Sequence, residues 1–160
     1  SMPPIHESGI EWTEIESGKM NVRRKQLGEA AGGEELGCSL YELQPGERSW
    51  PYHYHTANEE AAYVLSGSGT LRLADETHRL TAGEYVAFPA DETGGHEFVN
   101  DGEEPLRYLV FSTMNDPEVA VYPDSEKIGV FVGAPQGGRG ERAIHGYYPM
   151  DADVDYWDGE

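Results

Sequence analysis

From Leu36 to Val132 apolar and polar residues alternate in short runs separated by turn residues, the pattern of half-buried strands. "LGCSLYELQPGE" alternates and ends in a Pro-Gly turn, and "EEAAYVLSGSGTLRLAD" holds two β runs around Ser66 to Gly69, a hairpin signal. "THRLTAGEYVAFPAD" predicts a strand, an Ala-Gly turn and an aromatic-rich strand stopped by Pro89. "GGHEFVNDGEEPLRYLVFSTM" predicts two more, split by "NDGEEP", and "KIGVFVG" a late one. No helical period is sustained, "LGEAAGGEEL" being too short and too glycine-rich, and there is no clear internal repeat. Many short strands with turn chemistry between them predict an all-β fold, one sandwich or barrel.

The ends differ from the middle. Residues 1–33 read as an N-terminal arm or strand extension, 34–132 as the barrel, and 133–160 as a glycine-rich loop and acidic tail. Tyr156 and Trp157 in that tail suggest an anchor to the body or to a second subunit. "GGRGER" lacks the lysine and Ser/Thr of a phosphate loop and reads as a flexible loop, its arginines pairing with the acidic tail.

Composition narrows the partners. The 160 residues fit one domain with a sizeable core. Thirty acidic against eleven basic residues give a net charge of −19, which argues against nucleic acid and anionic membranes as partners. Lysine is confined to Lys19, Lys25 and Lys127, a balance that resembles proteins of salt-loving organisms. The single Cys38 permits no intrachain disulfide and fits a reducing cytoplasm. No apolar run approaches a membrane span, the first residues lack signal-peptide features, and Ser1 before Met2 reads as a remnant of a cleaved tag.

The chemistry concentrates in "HYHTANEE". Side chains alternate along a strand, so His53 and His55 share one face and Tyr52 and Tyr54 the other. Two imidazoles side by side suit a shared divalent metal such as manganese, iron, nickel or zinc. Of the two glutamates that follow, parity favours Glu60, whose face carries the small Ala62 and Val64, over Glu59, which shares its face with Tyr63 and Leu65. His96, after a glycine pair at the start of a strand, is the candidate fourth ligand. His78 reads as solvent-exposed, and His6 and His145 lie in the irregular ends.

These residues resemble the cupins, small β-barrels with two spaced motifs. The first reads Gly46, His53-Tyr54-His55, Glu60 and Gly67 here; the second reads Gly83, Pro89, His96 and Asn100. The resemblance runs from about Leu36 to Thr113. Two departures stand out: the gap from Gly46 to His53 is one residue longer than the family's, and "ADETGG" between Pro89 and His96 is about two longer. The resemblance implies a double-stranded β-helix (jelly-roll) barrel and one divalent transition metal on His53, His55, Glu60 and His96. It also implies a homodimer and a small-molecule ligand.

Three histidines and a glutamate leave metal positions open for isomerase- or dioxygenase-type chemistry on a small polar metabolite. Sugar-phosphate isomerase is a label carried by some relatives. The alternative is a module that binds a sugar or carboxylate and turns nothing over. Trp50, Tyr52, Phe98, Asn100 and Arg107 are the candidate pocket residues; which face of the Leu106–Met114 strand turns inward, and so whether Arg107 meets an anionic substrate, is left open.

Overall fold

The computed structural model describes residues 2–18 and 20–160; the reading of Ser1 lies outside the described residues. Two antiparallel layers face each other. One is a six-stranded sheet in the order β1 (Thr13–Ser17), β2 (Met20–Gln26), β3 (Leu36–Leu43), β10 (Leu106–Thr113), β5 (Glu60–Ser66), β8 (Tyr85–Phe88). The other combines a three-stranded ribbon, β7 (Thr77–Thr81), β6 (Ser68–Arg72), β9 (Glu97–Val99), with a four-stranded one, β13 (Ile144–Pro149), β12 (Lys127–Val132), β11 (Glu118–Tyr122), β4 (Tyr54–His55). An isolated antiparallel bridge between His53 and His96 links the two ribbons. The helix reading also holds: "LGEA" makes a single four-residue turn, α1 (Leu27–Ala30).

The hairpin expected at Ser66 to Gly69 is not there. β5 pairs with β10 and β8 in one layer, and β6 pairs with β7 and β9 in the other. Residues 60–72 form one bent strand that crosses the barrel corner at Gly67, and residues 77–88 form a second beside it, bending at Gly83. The true hairpin turn lies between β6 and β7, where the Leu73 amide donates to the Glu76 carbonyl at 2.8 Å. A hairpin wrapped across two layers is the jelly-roll, and alternation along the chain reports the strands but not which layer each joins.

The core fills the space between the layers with Val22, Leu43, Val64, Leu71, Leu80, Phe88, Phe98, Leu106 and Tyr108. On β10 the inward set is Leu106, Tyr108 and Val110. Arg107 therefore points away, its Nη1 donating to Glu42 at 2.7 Å, which corrects its placement in the pocket.

Both extensions are built into the sheets. β1 and β2 extend the six-stranded sheet past β3, and the buried Lys25 holds Glu7 at 2.7 Å. β13 pairs along all of β12. Neither these strands nor β11 was legible as such. The loop arginines do not reach the tail: Arg139 pairs with Glu29 at 3.9 Å, and Arg142 donates to the Ala134 and Pro135 carbonyls. Tyr156 and Trp157 rest edge to face on each other and stay 81% and 76% exposed, so they do not anchor the tail to the body of this chain.

Gly67 carries the corner. Its φ is +81°, and a Cβ there would lie 2.1 Å from the Pro105 carbonyl oxygen. Gly46 has a similar φ of +88° but open space around it. We expect Gly67→Ala to cost about 3 kcal/mol in chemical denaturation, and Gly46→Ala about 1 kcal/mol, the difference being the backbone clash.

Candidate metal centre

The two motif histidines face each other across the bridge. His53 N–H donates to the His96 carbonyl at 3.3 Å and His96 N–H to the His53 carbonyl at 3.0 Å. Each ring is then oriented by the carbonyl two residues before it: His53 Nδ1 donates to Pro51 at 2.7 Å and His96 Nδ1 to Gly94 at 2.8 Å. A carbonyl only accepts, so Nδ1 carries the proton and a neutral ring presents a bare Nε2. The long "ADETGG" segment is absorbed by a 3-10 turn, Glu92–Gly94, capped by the Asp91 carboxylate on the Thr93 amide at 2.8 Å.

Glu60, the first residue of β5, reaches into the same place. Ligand atoms of His53, Glu60 and His96 lie within 4.8 Å of one another, close enough to share one ion. His55 adds its ring on the other side. Its Nε2 lies 3.1 Å from Glu60 Oε1 and its Nδ1 3.3 Å from Glu118 Oε2, yet neither nitrogen is aligned for a hydrogen bond. Buried ring nitrogens without hydrogen-bond partners beside a carboxylate fit a site built for a cation. The donor set, imidazole with one carboxylate, suits a divalent first-row metal.

Glu118 escaped the sequence reading because β11 did. It accepts from the Thr56 and Ala57 amides at 3.1 and 3.0 Å, and from Asn58 Nδ2. The one available signal was alternation in "EVAVY", which puts Glu118 on a face with Ala120 and Tyr122. Its carboxylate, 1% exposed at the side chain, stands directly behind His55.

Burial, helped by the neighbouring His96 and His55, pushes the His53 pKa down to about 3. Burial works the same way on His55, but the carboxylates of Glu60 and Glu118 outweigh it and raise that pKa to about 10. Burial opposes the Glu60 charge, and His55 and His96 overcome it, holding the carboxyl well below its ordinary value.

A cavity of about 240 Å³ opens onto this cluster, lined also by Trp50, Phe98 and Tyr108. Of the five pocket residues expected from sequence, Trp50 and Phe98 line it. Tyr52 faces away under the Arg72 guanidinium, 4.2 Å from its ring centre. Asn100 is wholly buried and braces a turn, donating to the Leu43 and Glu104 carbonyls at 2.8 Å. His78 is exposed and meets Glu84 at 3.1 Å; His6 caps the 3-10 turn Glu7–Gly9. His145 lines the cavity but is not one of the clustered ligands.

Comparison with known proteins agrees with this architecture. The family model described as "Cupin domain" matches residues 39–112. A solved structure from Silicibacter pomeroyi, named as a sugar phosphate isomerase from a cupin superfamily, is 26% identical with a TM-score of 0.81, covering 98% of both chains. One from Acidithiobacillus ferrooxidans, provisionally named a sugar phosphate isomerase, is 30% identical with a TM-score of 0.78, covering 92% of this chain and 91% of that one. Auxin-binding protein 1 of Arabidopsis thaliana is 36% identical over 101 residues, 58% of this chain and 50% of its own length. The chain spans about half the length, or less, of the curated relatives it matches. Among the described residues no helix is long and apolar enough to cross a membrane.

The charge pattern predicts an alkaline limb in chelator-treated protein. His55 is raised from 6.5 to about 10 in the folded state, so its stabilisation is complete below pH 6.5 and lost as pH rises through 10. His53 and Glu60 are lowered, so their contributions fade as pH falls below their ordinary values. Melting temperature should therefore decline from neutral pH toward pH 10, and His55→Gln should flatten that decline, as read by thermal denaturation across a pH series.

Proposed function

Because this chain belongs to the cupin superfamily, we propose that it is a metal-dependent enzyme acting on a small polar metabolite by isomerase-type chemistry at a His53, His55, Glu60, His96 centre. The convergence of His53, Glu60 and His96 ligand atoms within 4.8 Å at the cavity carries this reading. Relatives named for sugar phosphate isomerisation support the reaction class. When bound, a divalent ion supplies Lewis acidity to a substrate oxygen.

The chain's own residues do the rest. His53 and His96 offer Nε2 lone pairs already oriented by backbone carbonyls, and Glu60 supplies the anionic ligand. Glu118 stands 3.3 Å behind His55 Nδ1, so a charged His55 would release its Nε2 proton to solvent on taking up a cation and keep the Nδ1 proton that faces the carboxylate. Tyr108 lines the cavity with a buried hydroxyl that has no protein partner, and burial pushes its pKa further up, so it serves as a neutral donor to a substrate oxygen.

Elemental analysis of protein purified without chelator should find about one transition-metal ion per chain, lost in His53→Ala and His96→Ala. Glu118→Gln should weaken metal affinity by about tenfold or more while leaving the ligand set intact. Metal-free wild-type protein overturns the centre. Loaded protein that turns over no aldose or ketose phosphate, and consumes no dioxygen with candidate substrates, reduces the reading to a binding module.

Tyr108→Phe separates structure from function. It should leave melting temperature and metal content unchanged or slightly higher, because the deleted hydroxyl is buried without a partner, while lowering turnover in a steady-state assay.

A further inference from the structure

The arginines of this acidic chain divide into two groups. Arg23, Arg48, Arg72, Arg107 and Arg139 each pair with a carboxylate. Of the other three, none of which pairs with a carboxylate among the described residues, Arg79 is exposed and donates to Ser68, which leaves Arg24 and Arg142, although acidic side chains outnumber basic ones throughout. Both line the cavity that holds the metal cluster. Arg24 stands on β2 with its guanidinium 5.5 Å from the Trp50 ring centre, and its Nε is buried with no hydrogen-bond partner. Arg142 lies 5.0 Å from the Phe131 ring centre and is fixed by two donations, Nε to Ala134 at 3.0 Å and Nη2 to Pro135 at 2.8 Å, leaving three of a guanidinium's five protons for another acceptor.

Unpaired guanidinium groups in a partly buried cavity incur desolvation without a compensating anion. The cavity's own carboxylates are otherwise engaged: Glu29 near Arg139, Glu97 near Arg48, and Glu60 with the histidines. Neither arginine belongs to the residues matched by the family model, 39–112. One comes from the N-terminal extension and one from the loop before β13, so the two extensions each bring a cation to the cavity that the barrel core opens.

We propose that Arg24 and Arg142 form an oxyanion subsite that binds the phosphate or carboxylate end of the substrate, while its oxygenated end meets the metal cluster. This rests on the reading of the cavity as the substrate site. Guanidinium suits both anions because its planar N–H groups donate in pairs to their oxygens. The N- and C-terminal extensions thereby set the substrate's charge, and the barrel motifs set the chemistry.

Titration calorimetry with inorganic phosphate and, in a separate arm, acetate tests this on intact protein, metal-loaded and chelator-treated. We expect at least one anion to bind in both forms, with affinity about tenfold weaker in Arg24→Gln and in Arg142→Gln. Arg79→Gln, at an exposed arginine that donates to Ser68, is the control and should bind as wild type. The stronger anion names the substrate's charged group. Circular dichroism on each variant checks the fold, and Arg24→Lys, which keeps the charge but not the fork, should recover part of the affinity. Binding abolished by chelator and indifferent to both arginines would mean the anion sits on the metal, overturning the subsite and leaving the metal-centre reading standing. Absence of binding by either anion in either form also overturns it. Anion binding that depends on the arginines in protein that never holds metal would keep the subsite and sink the enzyme reading.

Discussion

The backbone bridge between His53 and His96 is the contact on which the rest depends. It is a pair of ordinary backbone hydrogen bonds, yet it joins the β4 ribbon to the β9 ribbon and sets two imidazoles opposite each other. Cross-strand neighbours across such a bridge have side chains close enough to share one partner. Each ring is then turned by a carbonyl only two residues upstream, so orientation is local while juxtaposition is long-range. The resulting pair is 6% and 4% exposed, which keeps water from competing for the nitrogens.

Electrostatics inside the barrel runs opposite to that outside. The surface carries a large excess of carboxylates, which repel one another and are relieved by salt. In the interior, Glu60 and Glu118 flank His55 and concentrate negative charge where a cation would sit. The wall of the same cavity also carries Arg24 and Arg142.

The strand pattern and the first ligand strand were legible because both rest on period-two alternation, which is a property of the chain alone. Parity put His53 and His55 on one face, turned Tyr52 to the other, and preferred Glu60 to Glu59; in the structure Tyr52 faces away from the cavity and Glu60 meets the histidines. The bounds of β1, β2, β11 and β13 were not legible, because short or charged segments become strands only when a neighbour completes their hydrogen bonds. Glu118 and Arg24 went unseen for the same reason, each standing on one of those segments, and Arg142, read as a loop arginine paired with the tail, lies just before β13 and donates to Ala134 and Pro135 instead. Asn100 and Arg107 carried the right chemistry for a pocket but lie on the wrong side of their strands' surroundings, one bracing a turn and one paired with Glu42.

By itself, then, the amino-acid order determined an all-β chain, the places where its runs are interrupted, and the side chains able to hold a metal, since alternation and donor chemistry are local. Tertiary structure decided which layer each run joins, as Gly67 and Gly83 carry two bent strands around the barrel where a simple hairpin was expected. It also decided what stands behind and beyond the histidines. Those neighbours come from segments some sixty to ninety residues away along the chain, at Glu118 and Arg142, and only closure of the two layers brings them within reach.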